Sequence, residues 1–187
     1  MPLSPETPWP LTHSEVLRKQ APEKRLRLEE EVVGLFDQLR EPLLRYLIGL
    51  GLAPEDGQEI VQETFLALFQ HLVRGKPRTN LRAWLFRVAH NLALKRRHAA
   101  RRNQGLDADD LFVDAGPTPE DQAVDRQRHR RLAAVLEGLE RQDRRCLLLR
   151  AEGLRYREIA EILDISLGSV ALSLSRSLAR ITRVIER

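Results

Sequence analysis

The residues best equipped for chemistry in this sequence are basic ones on a helical period. Between Leu81 and Arg102 stand Arg82, Arg87, Lys95, Arg96, Arg97, Arg101 and Arg102, with no acidic residue among them. At 100° per residue, Arg82, Phe86, Arg87, His90, Arg97 and Arg101 fall away from the apolar stripe Leu81, Trp84, Leu85, Val88, Ala89 and Leu92. A helix face of that kind neutralises phosphates, and Phe86 amid the basic residues would stack an unpaired base. The plainer alternative is a solvated basic face with Phe86 packed against a neighbour. Trp84, on the inner stripe, reads as core.

A second group lies near the C-terminus. In Tyr156-Arg157-Glu158-Ile159-Ala160-Glu161-Ile162-Leu163-Asp164-Ile165-Ser166, Ile159, Ala160 and Leu163 point inward, and Ala160 is small, as a close helix crossing requires. Asp164 sits where the turn needs a left-handed residue, a conformation Asp tolerates. Ser166 can cap the following helix, whose buried side is expected to be Val170, Leu174 and Leu178. This is a helix-turn-helix, whose second helix enters a DNA major groove by its N-terminal residues; an αα-hairpin that binds protein is the alternative. A third group, Glu59, Gln62, Glu63 and Leu66, shares one helix side at spacings of three and four, either as a solvated stripe or as a partner-binding face.

Other chemistry finds little support. The single cysteine, Cys146, can form no internal disulfide and is too few for a thiolate cage. The five histidines are scattered, with no HExxH. Paired carboxylates, phosphate loops and nucleophile motifs are not evident, so an enzyme is not expected, nor a metal or other cofactor. No apolar run approaches the ~20 residues that span a bilayer, and prolines and acidic residues stand where a signal peptide would begin. A reduced, cytoplasmic protein without membrane insertion is expected.

The elements that must position these groups are helices. Leu28, Val32, Leu35, Phe36, Leu39, Leu43 and Leu47 form one stripe, interrupted at Pro42, where a kink or a break is expected; Gly49 and Gly51 end it. Ala53-Pro54-Glu55-Asp56 starts a second helix, with Ile60, Val61, Phe65, Leu68, Phe69 and Leu72 inward, and Gly75-Lys76-Pro77 stops it. Thr79 or Asn80 can cap the third helix. Residues 103–122 hold Asp107, Asp109, Asp110, Asp114, Glu120 and Asp121 with Pro117 and Pro119 and no basic residue, an acidic linker. Helical periodicity resumes near Ala123. Leu132, Val135, Leu136 and Leu139 make one stripe and Cys146 to Leu149 another, before a turn at Gly153. The expected fold is all-α: two small helical domains, 25–102 and 123–187, joined by that linker, the second containing the helix-turn-helix, with a flexible proline-rich arm over 1–24. The net charge of +4 over 187 residues suits a nucleic-acid partner without establishing one.

Together these features resemble a known family. Asp56 to Phe69, reading DGQEIVQETFLALF, is similar to the polymerase-docking helix of bacterial sigma factors. Arg82 to Ala93, reading RAWLFRVAHNLA, is similar to the element that opens and reads the −10 promoter region, and Ala151 to Arg180 to the domain that reads the −35 region. Order, spacing and linker resemble the extracytoplasmic-function branch of the sigma-70 type. The resemblance implies a sigma factor that binds core RNA polymerase and promoter DNA. Asp56, Glu59, Gln62, Glu63 and Phe65 would serve docking, with Phe65 supporting from inside. Arg82, Phe86, Arg87, Asn91, Lys95 and Arg97 would serve the −10 region, and Arg155, Arg157, Ser169, Leu172, Ser173 and Arg176 the −35 region. The family often adds an anti-sigma factor.

The second domain departs from the family pattern. Ser169-Val170-Ala171-Leu172-Ser173-Leu174-Ser175-Arg176 reaches a basic residue only at Arg176, with Arg180 beyond it. Family members carry lysine or arginine earlier in this helix. Ala171 and Leu172 can meet a thymine methyl instead, and the expectation is weak −35 binding. A stand-alone helix-turn-helix regulator, or a sigma-like decoy, is the alternative function; the Glu59/Gln62/Glu63 face argues against the regulator, which has no need of it.

Overall fold

A computed structural model describes residues 22–104, 134–136 and 138–185. The expected N-terminal arm lies almost wholly outside these residues, and so do the acidic linker and the start of the second domain. Six helices are present among the described residues: α1 (Pro22–Gly49), α2 (Pro54–Val73), α3 (Leu81–Gln104), α4 (Arg141–Ala151), α5 (Tyr156–Leu163) and α6 (Leu167–Ile185). A short helical turn at 134–136 precedes α4.

α1 runs through Pro42 as one helix, so of the kink or break expected there the break does not occur. Proline removes one backbone hydrogen bond, but Leu39, Leu43, Tyr46 and Leu47 are all buried on either side of it, and that packing holds the element together. Gly51, at φ 89°, turns the chain, and Pro54 starts α2 at a position where its missing N–H has no partner to lose. On α2, Ile60, Val61, Phe65, Leu68 and Leu72 face inward as their spacing predicts. Phe65 meets Phe36 of α1 edge-on at 5.0 Å. Thr64, also buried, donates to the Ile60 carbonyl oxygen at 2.7 Å, which leaves its hydroxyl satisfied within the helix.

α3 is rotated from the predicted register. Its fully buried side chains are Leu85, Phe86, Ala89 and Ala93, with His90 at 3% exposure, while Trp84, Val88 and Leu92 are half-buried. The cause is tertiary: α3 packs against both α1 and α2, with Trp84 turned to His71 of α2 and Phe86 and His90 turned to Tyr46 of α1. A second packed side enlists positions that a one-stripe reading assigns to solvent. Trp84 stacks at a tilt on His71 of α2, with centroids 4.6 Å apart.

The second unit packs α4, α5 and α6 around Cys146, Leu149, Leu154, Ile159, Ile162, Val170 and Leu174. α5 ends on Asp164 at φ 53°, ψ 50°, the expected left-handed turn residue. The Ser166 hydroxyl oxygen then accepts the Ser169 N–H at 3.1 Å and caps α6. The two helices meet at a bend of 106°, within the range of a helix-turn-helix. Two inward assignments change. Ile162 is buried more deeply than Ala160 and Leu163, and Leu178 is 56% exposed, because the buried side of α6 turns through Ser173 and Ser177 toward α4 instead. Among the described residues no single helix is long and apolar enough to cross a membrane.

Candidate functional site

Three surfaces carry the singled-out residues. On α2, Glu59, Gln62, Glu63 and Leu66 are exposed along one side, with Asp56 half-exposed at its start. Phe65 points the other way into the core at 6% exposure. Arg96 of α3 reaches across and pairs with Asp56 Oδ1 at 3.1 Å and also with the Glu59 carboxylate. Two of the face's acids are thereby partly neutralised and held in place. Beside Gln62 a shallow groove opens between α1 and α2, lined by Phe36, Arg40, Leu44 and Val61.

On α3, Arg82, Arg87, Asn91 and Lys95 are exposed. They recur at steps of four and five and so form one polar, cationic side suited to a phosphate backbone. Arg97 is half-buried, and one guanidinium nitrogen reaches the Leu50 carbonyl oxygen at 3.5 Å. Phe86 does not belong to this surface. Its ring is fully buried and meets Tyr46 of α1 edge-on at 5.6 Å, so it presents no face to a base in this structure. His90 is likewise internal, sharing a 2.7 Å hydrogen bond with the Tyr46 hydroxyl through Nδ1. Burial, and to a lesser degree the charge of Arg145, pushes the His90 imidazole down to about 4, while burial pushes the Tyr46 phenol up. Both groups are therefore neutral at physiological pH, and the pair acts as a polar joint inside the core.

On the helix-turn-helix, Arg155 and Arg157 are exposed at the start of α5, Leu172 is 56% exposed on α6, and Ser169 is half-buried beside the cap. Ser173 is fully buried and accepts a 3.2 Å hydrogen bond from Gln142 Nε2. It faces α4 rather than an outside ligand, because the α4 crossing needs a small residue there. Arg176 is exposed but engaged: it donates two hydrogen bonds to the buried carboxylate of Asp143.

Three structural partners escaped the sequence reading. Arg96 was visible only as one cation in a basic run. Asp143 sits inside the run Arg141-Gln142-Asp143-Arg144-Arg145, whose sum hides an acid surrounded by bases. Glu152, which binds Arg45, has no sequence signal because its partner lies 107 residues away. No cluster of acids, histidines and cysteines that could hold a metal occurs among the described residues.

Comparison with known proteins gives this geometry a family. Residues 35–104 match Sigma-70 region 2 and residues 129–181 match Sigma-70, region 4, and together these matches cover well over half of the chain. The probable RNA polymerase sigma factor RfaY of Xanthomonas campestris pv. campestris is 31% identical over 130 residues, 66% of this chain and 32% of that protein. The ECF RNA polymerase sigma factor SigE of Mycolicibacterium smegmatis is 33% identical over 125 residues, 65% of this chain and 48% of the relative. The chain thus spans less than half the length of either, whereas it covers 87% of the ECF sigma factor EcfG of Rhodopseudomonas palustris, at 25% identity. Among solved structures, CnrH in complex with the cytosolic domain of CnrY is similar at TM-score 0.60 and 20% identity, over 92% of this chain and 94% of that one. The sigma factor RpoE of Bartonella quintana in complex with the anti-sigma factor NepR is similar at the same score and identity, over 82% and 97%. The chain belongs to the sigma-70 family of RNA polymerase sigma factors, in its extracytoplasmic-function branch.

Proposed function

We propose that this chain is a non-enzymatic initiation factor of the cytoplasm, which binds core RNA polymerase, carries it to promoters and stabilises the opened strand. The observation that carries this reading is the tandem of an exposed Glu59/Gln62/Glu63 side on α2 and an exposed Arg82/Arg87/Asn91/Lys95 side on α3 within one three-helix unit. An acidic and amide-bearing stripe beside a groove suits a protein partner, and a cationic stripe suits a nucleic-acid backbone. The domain bounds we assign are 25–102 for docking and −10 recognition and 123–187 for −35 recognition.

The work is differential binding. Unstacking bases costs a few kcal/mol each, and contacts made only with the open strand must offset it; polymerase supplies the catalysis. Arg82, Arg87, Asn91, Lys95 and Arg97 are assigned to the −10 region, and Arg155, Arg157, Ser169 and Leu172 to the −35 region. The buried Phe86 and Ser173 are assigned to packing instead. An anti-sigma factor is a further partner we assign by likeness to the two complexes named above. The test is promoter-directed run-off transcription with core polymerase. Specific transcripts that depend on this chain support the reading, and transcripts no more abundant than with core polymerase alone refute it.

A further inference from the structure

The outward side of α6 carries no charge where a recognition helix meets bases. Leu167, Gly168, Ala171, Leu172 and Ser175 are exposed, and at about 100° per residue they fall within about 140° of the helix circumference. Leu167 and Leu172 are 48% and 56% exposed, large apolar side chains standing in solvent. Val170, Ser173, Leu174 and Ser177 are buried on the opposite side, toward α4 and α5, the main packing partners of α6.

The first two cations of the helix do not supply the missing charge. Arg176 is held by the carboxylate of buried Asp143, and turning it toward DNA would leave that acid without its partner. Arg180 is folded back on the turn before α4: a Cβ at Gly138 would stand 2.7 Å from its Nη2.

Bases differ in what they ask of a side chain. In the major groove guanine takes Arg or Lys, adenine takes Asn or Gln and cytosine takes a carboxylate, whereas the thymine C5 methyl takes an apolar group. Leu167, Ala171 and Leu172 meet only the last of these demands. An apolar protein face would fit the same side, but three observations favour DNA. α6 holds no acidic residue along Leu167–Ile185. Arg155 and Arg157 stand exposed at the start of α5, the helix that crosses the phosphate backbone in a helix-turn-helix. Gly168 weakens the helix, yet a Cβ there would meet only Ser166 Oγ at 3.9 Å, so the slim helix end it provides serves something outside the chain.

We propose that α6 reads its promoter element through thymine methyl groups. Leu172 is the specificity-determining residue, with Leu167 and Ala171 beside it, and Arg155 and Arg157 hold the backbone. This deepens the function proposed above and rests on it. An element read in this way is rich in A·T pairs, and its apolar contacts are not screened by salt as the phosphate contacts are.

The test begins with selection. The full chain, bound to core RNA polymerase, selects duplexes randomised upstream of a fixed −10 element. The enriched element is then resynthesised with single thymines replaced by uracil, which removes only the methyl. Each replacement under α6 is expected to weaken binding roughly threefold to fourfold, and replacements outside the element to change nothing. Leu172→Ala should bind the thymine and uracil forms equally at one position, and Leu172→Arg should shift that position to guanine. Both change an exposed side chain, and circular dichroism confirms that the helices persist. Uracil forms that bind wild type as tightly as thymine forms overturn the proposal. A uracil loss that Leu172→Ala leaves intact overturns it too, because the methyl then acts through DNA shape or another residue. Failure to enrich any upstream element, while the −10 element still directs binding, also overturns it and makes this side of α6 a protein contact. If the chain binds no polymerase, the proposed function fails. Selection by the free full-length chain at low salt then decides the readout: thymine-dependent enrichment supports it, and no enrichment overturns it.

Discussion

Arg176 and Asp143 form a two-pronged bond across the α4–α6 crossing, Nε to Oδ2 at 3.0 Å and Nη2 to Oδ1 at 2.7 Å. Arg176 is the first basic residue of α6, and the sequence alone offers it to DNA. Its guanidinium instead compensates a carboxylate that is only 4% exposed. The fork geometry of arginine suits such a pair, and its loss would leave Asp143 buried without its charge partner. α6 therefore presents Leu172 and small residues to the outside, with its nearest cation committed to the fold.

Arg176→Ala is accordingly expected to act on stability first. Arg176→Ala and Asp143→Ala should each lower Tm, and the double variant should lower it by less than the sum of the two. Burial alone pushes the Asp143 carboxyl up, but hydrogen bonds from Arg176 and Ser173 and the guanidinium charge outweigh it and hold the group below its ordinary 3.8. The folded state thus favours the ionised form. The stabilisation is complete above the ordinary value and is lost as pH falls through the lower folded value. Additive Tm losses in thermal melts would show that the two residues act independently.

His90 has a different pH window. Its folded value, about 4, lies below the ordinary 6.5, so the unfolded chain binds the extra proton between those limits. Stability should therefore fall as pH drops from 6.5 to 4, by up to about 3 kcal/mol from this residue. His90→Gln keeps a hydrogen-bonding partner for Tyr46 and removes the titration. Urea unfolding across that range should show a flatter dependence for the variant than for wild type; parallel curves would count against the assignment.

Phe86→Ala tests whether this ring is core or DNA contact. Removing a fully buried phenylalanine costs about 3–5 kcal/mol, which urea titration would read directly. A variant as stable as wild type but defective in strand opening would return Phe86 to the DNA surface.

The exposed cations of α3 should show themselves through salt. Each phosphate contact contributes about 0.9 to the slope of log affinity against log salt. Arg87→Ala/Lys95→Ala should therefore flatten that slope by roughly 2 in promoter binding by the polymerase complex. An unchanged slope would place neither residue on a phosphate.

Much of this architecture is legible in the chain itself. The α2 stripe, the glycine turns, the Asp164 turn and the Ser166 cap follow from spacing and from which residues tolerate a left-handed backbone. Pro42 does not break α1 because local propensity is overridden by the leucines around it. Phe86 and His90 mislead because α3 is buried on two sides, and a helix with two packed sides has no single stripe to read. Ser173 and Leu178 exchange roles because α4 approaches α6 where the residues are small, which depends on a crossing no local pattern encodes. The Asp143–Arg176 and Arg45–Glu152 pairs are long-range and leave no periodic trace.

The most direct measurement is the affinity of the full chain for core RNA polymerase, wild type against Glu59→Arg/Glu63→Arg, followed by permanganate detection of unpaired thymines on promoter DNA. Reversing two exposed charges on the docking side should weaken polymerase binding at least tenfold, about 1.4 kcal/mol, and abolish strand opening while leaving the helical content intact. A double variant that binds and opens DNA like wild type would contradict the placement of the docking surface on α2. A wild-type chain that binds no polymerase would contradict the proposed function.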